Sequence, residues 1–144
     1  MSLEKNMAVV RGLFEADNKK DLALLDELMA PDYVDHPLQL RGLESYKQLL
    51  TMTFKGFPDY HETIEDMIAK GDKVWVRFKG TGTHTGEYSG YWPLTGKKMT
   101  ITGVIIYRIV NGKVVEKESG VYDLLDFYKQ LGAIEYKGFP EDVS

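Results

Sequence analysis

Apolar residues recur at two different spacings along this chain, and the spacing changes near Asp59. Before that point the repeat is helical. Leu3, Met7, Val10 and Phe14 lie three or four residues apart, which predicts an amphipathic helix with Glu4, Lys5, Arg11 and Glu15 off its stripe. That helix is expected to fray near Asn18 to Lys20. Asp21 is placed to cap a short second helix carrying Leu22, Leu25, Leu28 and Met29, and Pro31 disfavours helix at Ala30. Tyr33-Val34-Asp35-His36-Pro37 reads as a short extended piece or turn. Gly42 then opens a third helix with Leu43, Tyr46, Leu50 and Phe54 on its stripe, ended by Gly56 and Pro58.

After Asp59 the repeat is that of strands. The pattern predicts strands over about 59–69, 73–85, 98–110 and 113–122. Gly71-Asp72 and Asn111-Gly112 supply tight turns, the second being the strongest short hairpin signal in the chain. In the third strand Ile101, Gly103, Ile105, Tyr107 and Ile109 share a face, and Thr100, Thr102, Val104, Ile106 and Arg108 share the other. Both faces turn apolar around Val104 to Ile106, which predicts cover on both sides. Gly86 to Lys97, rich in glycine and aromatics, reads as a long loop or a strand extension. Beyond the fourth strand, Leu124, Phe127, Tyr128 and Leu131 return to helical spacing before Gly132. Helices first and an antiparallel sheet afterwards indicate an α+β fold with helices on one face of a curved sheet, leaving a conical pocket suited to a small apolar ligand.

Composition narrows the function. A chain of 144 residues is expected to form a single domain, residues 1–144, with one core. A net charge of −4 and the absence of any Lys/Arg cluster argue against nucleic acid or an anionic membrane as the main partner. There is no cysteine, so disulfides, thiolate nucleophiles and Cys-based metal sites are excluded. No apolar run is long enough to span a bilayer and no signal-peptide pattern opens the chain, so the expected location is cytoplasmic.

The candidate chemistry lies in a few side chains. Asp123 sits where a strand ends and a helix begins, so it is either a helix N-cap or a cavity carboxylate that moves protons. In the second role an apolar pocket would raise its pKa by disfavouring the charged form. His36, between Asp35 and Pro37, is either a base, acid or hydrogen-bond donor or a turn histidine bonded to nearby backbone. His84 ends a strand, and His61 lies on one beside acidic residues. No pair of histidines has metal-ligand spacing, and no metal or cofactor is expected. Tyr88, Tyr91 and Trp92 form either a pocket rim or a set of packing aromatics. Phosphate-binding glycine loops, nucleophile elbows and dinucleotide fingerprints are absent.

Several of these pieces fall in an order that resembles the SnoaL-like polyketide cyclases, within the wider NTF2-like superfamily of conical α+β folds. The residues carrying the resemblance begin with Tyr33-Val34-Asp35-His36-Pro37, Gly42 and Phe57-Pro58-Asp59. They continue through Ile64 to Val74, Gly82-Thr83-His84-Thr85-Gly86, Thr95-Gly96-Lys97 and Tyr107-Arg108-Ile109. Gly112 to Glu116, and Asp123 with Gln130-Leu131-Gly132, complete the set. The resemblance implies a cofactor-free acid/base protein acting on a small hydrophobic carbonyl or ester compound by intramolecular aldol closure or a related isomerisation. It places Asp123 as acid and base, with His36 or His84 as hydrogen-bond partner; in a variant, His36 is the main base. Tyr33, Trp75, Trp92, Ile105 and Tyr107 are then expected on the substrate-binding wall. The alternative is a binding module that holds an apolar ligand without turning it over. The resemblance also implies a homodimer or a dimer of dimers formed through outer sheet faces. Three departures from the family pattern stand out. Ser119 replaces a tryptophan, the run from Glu116 to Asp123 is one residue longer, which predicts a bulge, and an extra residue precedes Pro93-Leu94-Thr95-Gly96.

Overall fold

The computed structural model describes residues 2–88 and 95–135. Four helices and six strands follow in the order α1 (Leu3–Lys19), α2 (Leu22–Leu28), β1 (Met29–Asp35), β2 (Leu40–Arg41), α3 (Leu43–Gly56), β3 (His61–Lys70), β4 (Lys73–Thr83), β5 (Lys98–Val110), β6 (Lys113–Tyr122) and α4 (Leu124–Gln130). The strands form one curved, open sheet in the order β2-β1-β6-β5-β4-β3. All neighbours are antiparallel except β1 and β6, which run parallel. An α+β cone of the expected kind is therefore present.

Local chemistry accounts for most boundaries. Ser2 caps α1 by accepting from the Lys5 amide, and Lys20 closes the helix in the left-handed region at φ 57°. Asp21 caps α2 by accepting from Leu24. Asn111 and Gly112 adopt φ of 50° and 76°, both positive as a type I′ hairpin requires. The region around Pro31 is the main departure: α2 stops at Leu28, and Met29–Asp35 is a full strand instead of a short extended piece. Its cross-chain pairing to β6 leaves no local pattern in the sequence.

The core lies between the helices and the inner sheet face. Val10, Leu13 and Phe14 of α1 pack with Val74, Val76, Phe78, Ile105, Tyr107 and Ile109 of the sheet. The described residues leave the outer face uncovered: Ile68, Val104 and Val121 are 63%, 40% and 71% exposed. The expected burial of β5 on both sides is thus not met within one copy.

The sixth strand carries two bulges that decide which residues face inward. Ile109 pairs with Val114 and Arg108 with Glu116, so Val115 is an extra residue on β6; Tyr107 pairs with Lys117 and Ile106 with Ser119, so Glu118 is another. Because side chains alternate along a strand, one inserted residue reverses the face of everything beyond it. Lys117, Gly120 and Tyr122 stand opposite the inward Tyr107, Ile105 and Gly103, whereas Ser119 and Val121 stand opposite the outward Ile106 and Val104. Asp123 continues the outward set. Past Gly103 the edge of β5 has no β6 partner. There α4 takes over: the Gln130 side chain accepts from the Thr100 amide at 2.7 Å and donates to the Thr100 carbonyl at 2.8 Å. A side-chain amide thereby stands in for a strand.

Candidate active site

A cavity of about 130 Å³ opens between α1, α3 and the inner sheet face. Its apolar wall comes from Phe14, Leu50, Phe78, Ile101 and Ile105. Its polar wall is unusually rich in ionisable groups: Asp17, Tyr46, Tyr60, Glu62, Tyr107, Lys117 and Tyr122.

Each polar group reaches the cavity for a definable reason. Asp17 follows Val10 and Leu13 at helical spacing on the buried stripe of α1, and it is only 3% exposed. Glu62 alternates with Tyr60 and Ile64 on the inward side of β3. A bulge at Val115 brings Lys117 opposite Tyr107 and so inward, and the bulge at Glu118 turns Tyr122 inward. Gly120 and Gly103 leave room for the Tyr122 ring; a Cβ on them would lie 2.8 and 3.0 Å from it. Gly80 does the same for the Tyr60 phenol, whose oxygen would sit 2.5 Å from an added Cβ.

Three linked groups result. The Tyr46 hydroxyl donates to Asp17 Oδ2 at 2.6 Å, while Asp17 Oδ1 is buried with no partner among the described residues. Tyr60 is hydrogen-bonded to Glu62. Lys117 Nζ lies 3.2 Å from Asp35 Oδ2 and donates to the Tyr122 hydroxyl at 3.2 Å. Asp35 also accepts from the Tyr33 hydroxyl at 3.4 Å and from the Leu38 amide at 2.9 Å.

The electrostatics separate these groups. Loss of solvation raises the Asp17 carboxyl well above the usual aspartate range, and repulsion from Glu62 adds to the shift; the Tyr46 bond and Lys117 oppose it. Burial thus favours the protonated form of Asp17. Glu62 is pushed up to about 7, again chiefly by desolvation, with Tyr60 and Lys117 pulling the other way. A carboxyl that titrates near neutrality can both accept and return a proton. Burial would lower the Lys117 ammonium, but Tyr122 and Asp35 more than offset it and the net shift is upward. Lys117 is consequently a fixed cation and not a neutral amine.

The sequence-predicted residues are spread over several places. Ile105 and Tyr107 lie on the cavity wall. Tyr33 is buried behind it, packed edge-on against the cavity-lining Tyr46 at 5.7 Å and linked to Lys117 through Asp35. His84 is buried in a separate cluster, stacked on Phe57 at 5.2 Å with Nδ1 3.0 Å from Thr95 Oγ1. His36 is on the surface, where Nε2 pairs with Glu116 at 2.7 Å. Two further residues lie away from the cavity. Trp75 lies on the outer face opposite Ile106 and beside Ile68, because it alternates with the inward Val74 and Val76. Asp123 is exposed and caps α4, accepting from the Asp126 amide at 3.1 Å. Trp92 and Tyr91 fall outside the described residues. No group of three His, Asp or Glu side chains that could hold a metal ion occurs among the described residues.

Asp17, Glu62 and Lys117 were not singled out from sequence. For the first two a signal exists: each is a charged residue at a position the local period assigns to the core face. For Lys117 it does not, since only the bulge at Val115 brings it inward.

Comparison with known proteins agrees with this architecture. The profile of the SnoaL-like polyketide cyclases matches residues 7–131. Among solved structures, IdmH from Streptomyces antibioticus, provisionally assigned as a polyketide cyclase, is 32% identical, with a TM-score of 0.76 over 88% of this chain and 98% of its own. AclR from Streptomyces galilaeus, provisionally assigned as a hydroxylase, is 28% identical, with a TM-score of 0.81 over 97% of this chain and 91% of its own. TsrD from Streptomyces laurentii shares the fold at a TM-score of 0.84 and 24% identity, over 93% and 99% of the two chains. No curated protein matches the sequence.

Proposed function

Because this chain belongs to the SnoaL-like polyketide cyclase family, we propose that it carries out cofactor-free acid–base chemistry on a small carbonyl compound, in the cavity between α1 and the sheet. The observation that carries the reading is the pair Asp17 and Glu62. Two carboxyls with raised pKa, Glu62 titrating near 7, share one cavity wall with a fixed ammonium. A desolvated carboxyl whose pKa lies near neutrality is suited to acid and base roles.

In this reading the Glu62 carboxylate removes a proton from the carbon next to a carbonyl. The electron pair moves onto the carbonyl oxygen, where negative charge is stabilised by a hydrogen bond from Lys117. The enolate carbon then attacks a second carbonyl of the same molecule, and the new alkoxide takes a proton from protonated Glu62 or from Asp17. Nothing is oxidised or reduced, so the sequence of steps is an isomerising ring closure; returning the proton to a different carbon gives an isomerisation instead. A cavity of about 130 Å³ accommodates a reacting group of roughly one six-membered ring. Asp123, exposed and engaged as a cap, plays no part in this scheme.

The test is hydrogen–deuterium exchange at the carbon next to the carbonyl of cyclohexanone in D2O, followed by NMR. The protein should accelerate exchange with a pH profile rising through about 7. Glu62→Gln should lower the rate by a factor on the order of 10²–10⁴, since an amide cannot take the proton. Cyclohexanone that binds without accelerated exchange would favour the non-catalytic binding module.

We also propose that two copies pair through the outer sheet face, where Ile68, Val104 and Val121 are exposed beside Trp75 and Ile106. Light scattering should give a dimer mass, or twice that, and Val121→Glu should shift it toward the monomer.

A further inference from the structure

A second cavity, also of about 130 Å³, lies against α4. It shares Thr53, Tyr60 and Ile101 with the first cavity, so these three side chains are a partition with a chamber on each side. The two chambers differ in chemistry. The first holds Asp17, Glu62 and Lys117, whereas the second, among the described residues, has no charged group on its wall and is bounded by Phe57, Tyr88, Met99, Phe127, Tyr128 and Leu124. Its aromatic rings already contact one another edge-on or tilted, with Tyr88 and Phe127 centroids 6.4 Å apart and Phe57 and Phe127 6.1 Å apart. Such edges and faces suit a flat apolar group. The outer wall is firm, because Gln130 ties α4 to Thr100 through two hydrogen bonds. Leu124, 44% exposed, stands where this chamber meets solvent. The partition also bears on the chemistry, since Tyr60 is the hydrogen-bond partner of Glu62.

We propose that the second chamber is a tail subsite, and that the protein takes amphipathic carbonyl compounds: a reacting head of about one ring among Asp17, Glu62 and Lys117, and an aryl or similarly flat apolar tail against Phe127 and Met99. The head assignment rests on the acid–base reading above, whereas the tail assignment rests on the second chamber alone. Neither chamber is large enough for a head and a tail together, which makes the partition the point where the two parts of the molecule join.

The experiment uses three probes on the full chain. Ethylbenzene tests the tail, cyclohexanone the head, and 4-phenylcyclohexanone both. Binding is read from the methyl NMR signal of Met99, assigned with Met99→Leu, and from dissociation constants. Ethylbenzene should bind and move the Met99 signal. Relative to cyclohexanone, 4-phenylcyclohexanone should bind roughly tenfold or more tightly, as burial of one ring provides. Leu124→Trp, a change at an exposed position, should fill the chamber. It should weaken ethylbenzene and 4-phenylcyclohexanone by about tenfold and leave cyclohexanone unchanged. Glu62→Gln should leave ethylbenzene binding unchanged. If ethylbenzene does not move Met99, or if Leu124→Trp leaves the aryl probes unaffected, the tail subsite is refuted. If ethylbenzene binds and is displaced by Leu124→Trp while cyclohexanone shows no accelerated exchange, the tail subsite stands and the acid–base reading falls.

Discussion

Asp17 and Asp123 are the same residue type in opposite surroundings. Asp17 sits in the last turns of α1 with, among the described residues, a single hydrogen-bond donor, Tyr46, and one buried oxygen unpartnered. Asp123 sits at the first end of α4, in solvent, with a backbone amide to accept from. In the first place water has been removed and little has replaced it, so the protonated form is favoured. In the second the carboxyl stays in solvent and accepts from the first turn of a helix, so the residue serves the fold. The same side chain is thus desolvated at one site and a cap at the other.

Activity gives the largest contrast. Asp123→Asn should leave ketone proton exchange within about twofold of wild type and the melting temperature nearly unchanged, because Asn caps a helix about as well as Asp. Glu62→Gln in the opposite region should lose on the order of 10²–10⁴ in the same assay. Loss of exchange in Asp123→Asn, with the fold intact, would move the chemistry to the α4 end and overturn the comparison.

Stability separates the two regions next. Lys117→Met leaves Asp35 fully buried without its cation, and chemical denaturation should show a loss of about 3–5 kcal/mol. Lys117→Arg, which keeps the charge, should recover part of that loss.

The pH dependence of stability is the third measure. Glu62 has a folded pKa of about 7 against an ordinary 4.5, so the proton is held more tightly in the folded chain. Its contribution is fully present below about pH 4.5 and is lost as pH rises through about 7. Between those limits stability should fall by on the order of 2–3 kcal/mol. Asp17 acts in the same direction, because its folded pKa is raised as well. Urea unfolding across this range should therefore show a decline that Glu62→Gln reduces. A flat profile would mean that water reaches Glu62 more freely than the cavity wall implies.

The smallest effect belongs to the cap. Asp123→Ala should cost about 0.5–2 kcal/mol in thermal unfolding, with no change in the pH slope.

Much of this fold was legible in the sequence. The helical stripes, the caps at Asp21 and Asp123 and the hairpin at Asn111-Gly112 are local chemistry, and the fourth predicted strand has the bounds of β6. Strand β1 was not legible, because its partner lies some eighty residues away and parallel pairing leaves no turn signal. The extra residue between Glu116 and Asp123 was visible as a length difference, and it is the bulge at Glu118. What the length could not tell is which residues the bulge turns inward.

The sequence by itself determined the helical and strand segments and the family. It did so because periodicity and capping are properties of neighbours along the chain. Tertiary structure decided which ionisable groups are desolvated together. A pKa depends on what surrounds a group in space, and Asp17, Glu62 and Lys117 come from α1, β3 and β6, which only the closed sheet brings to one cavity.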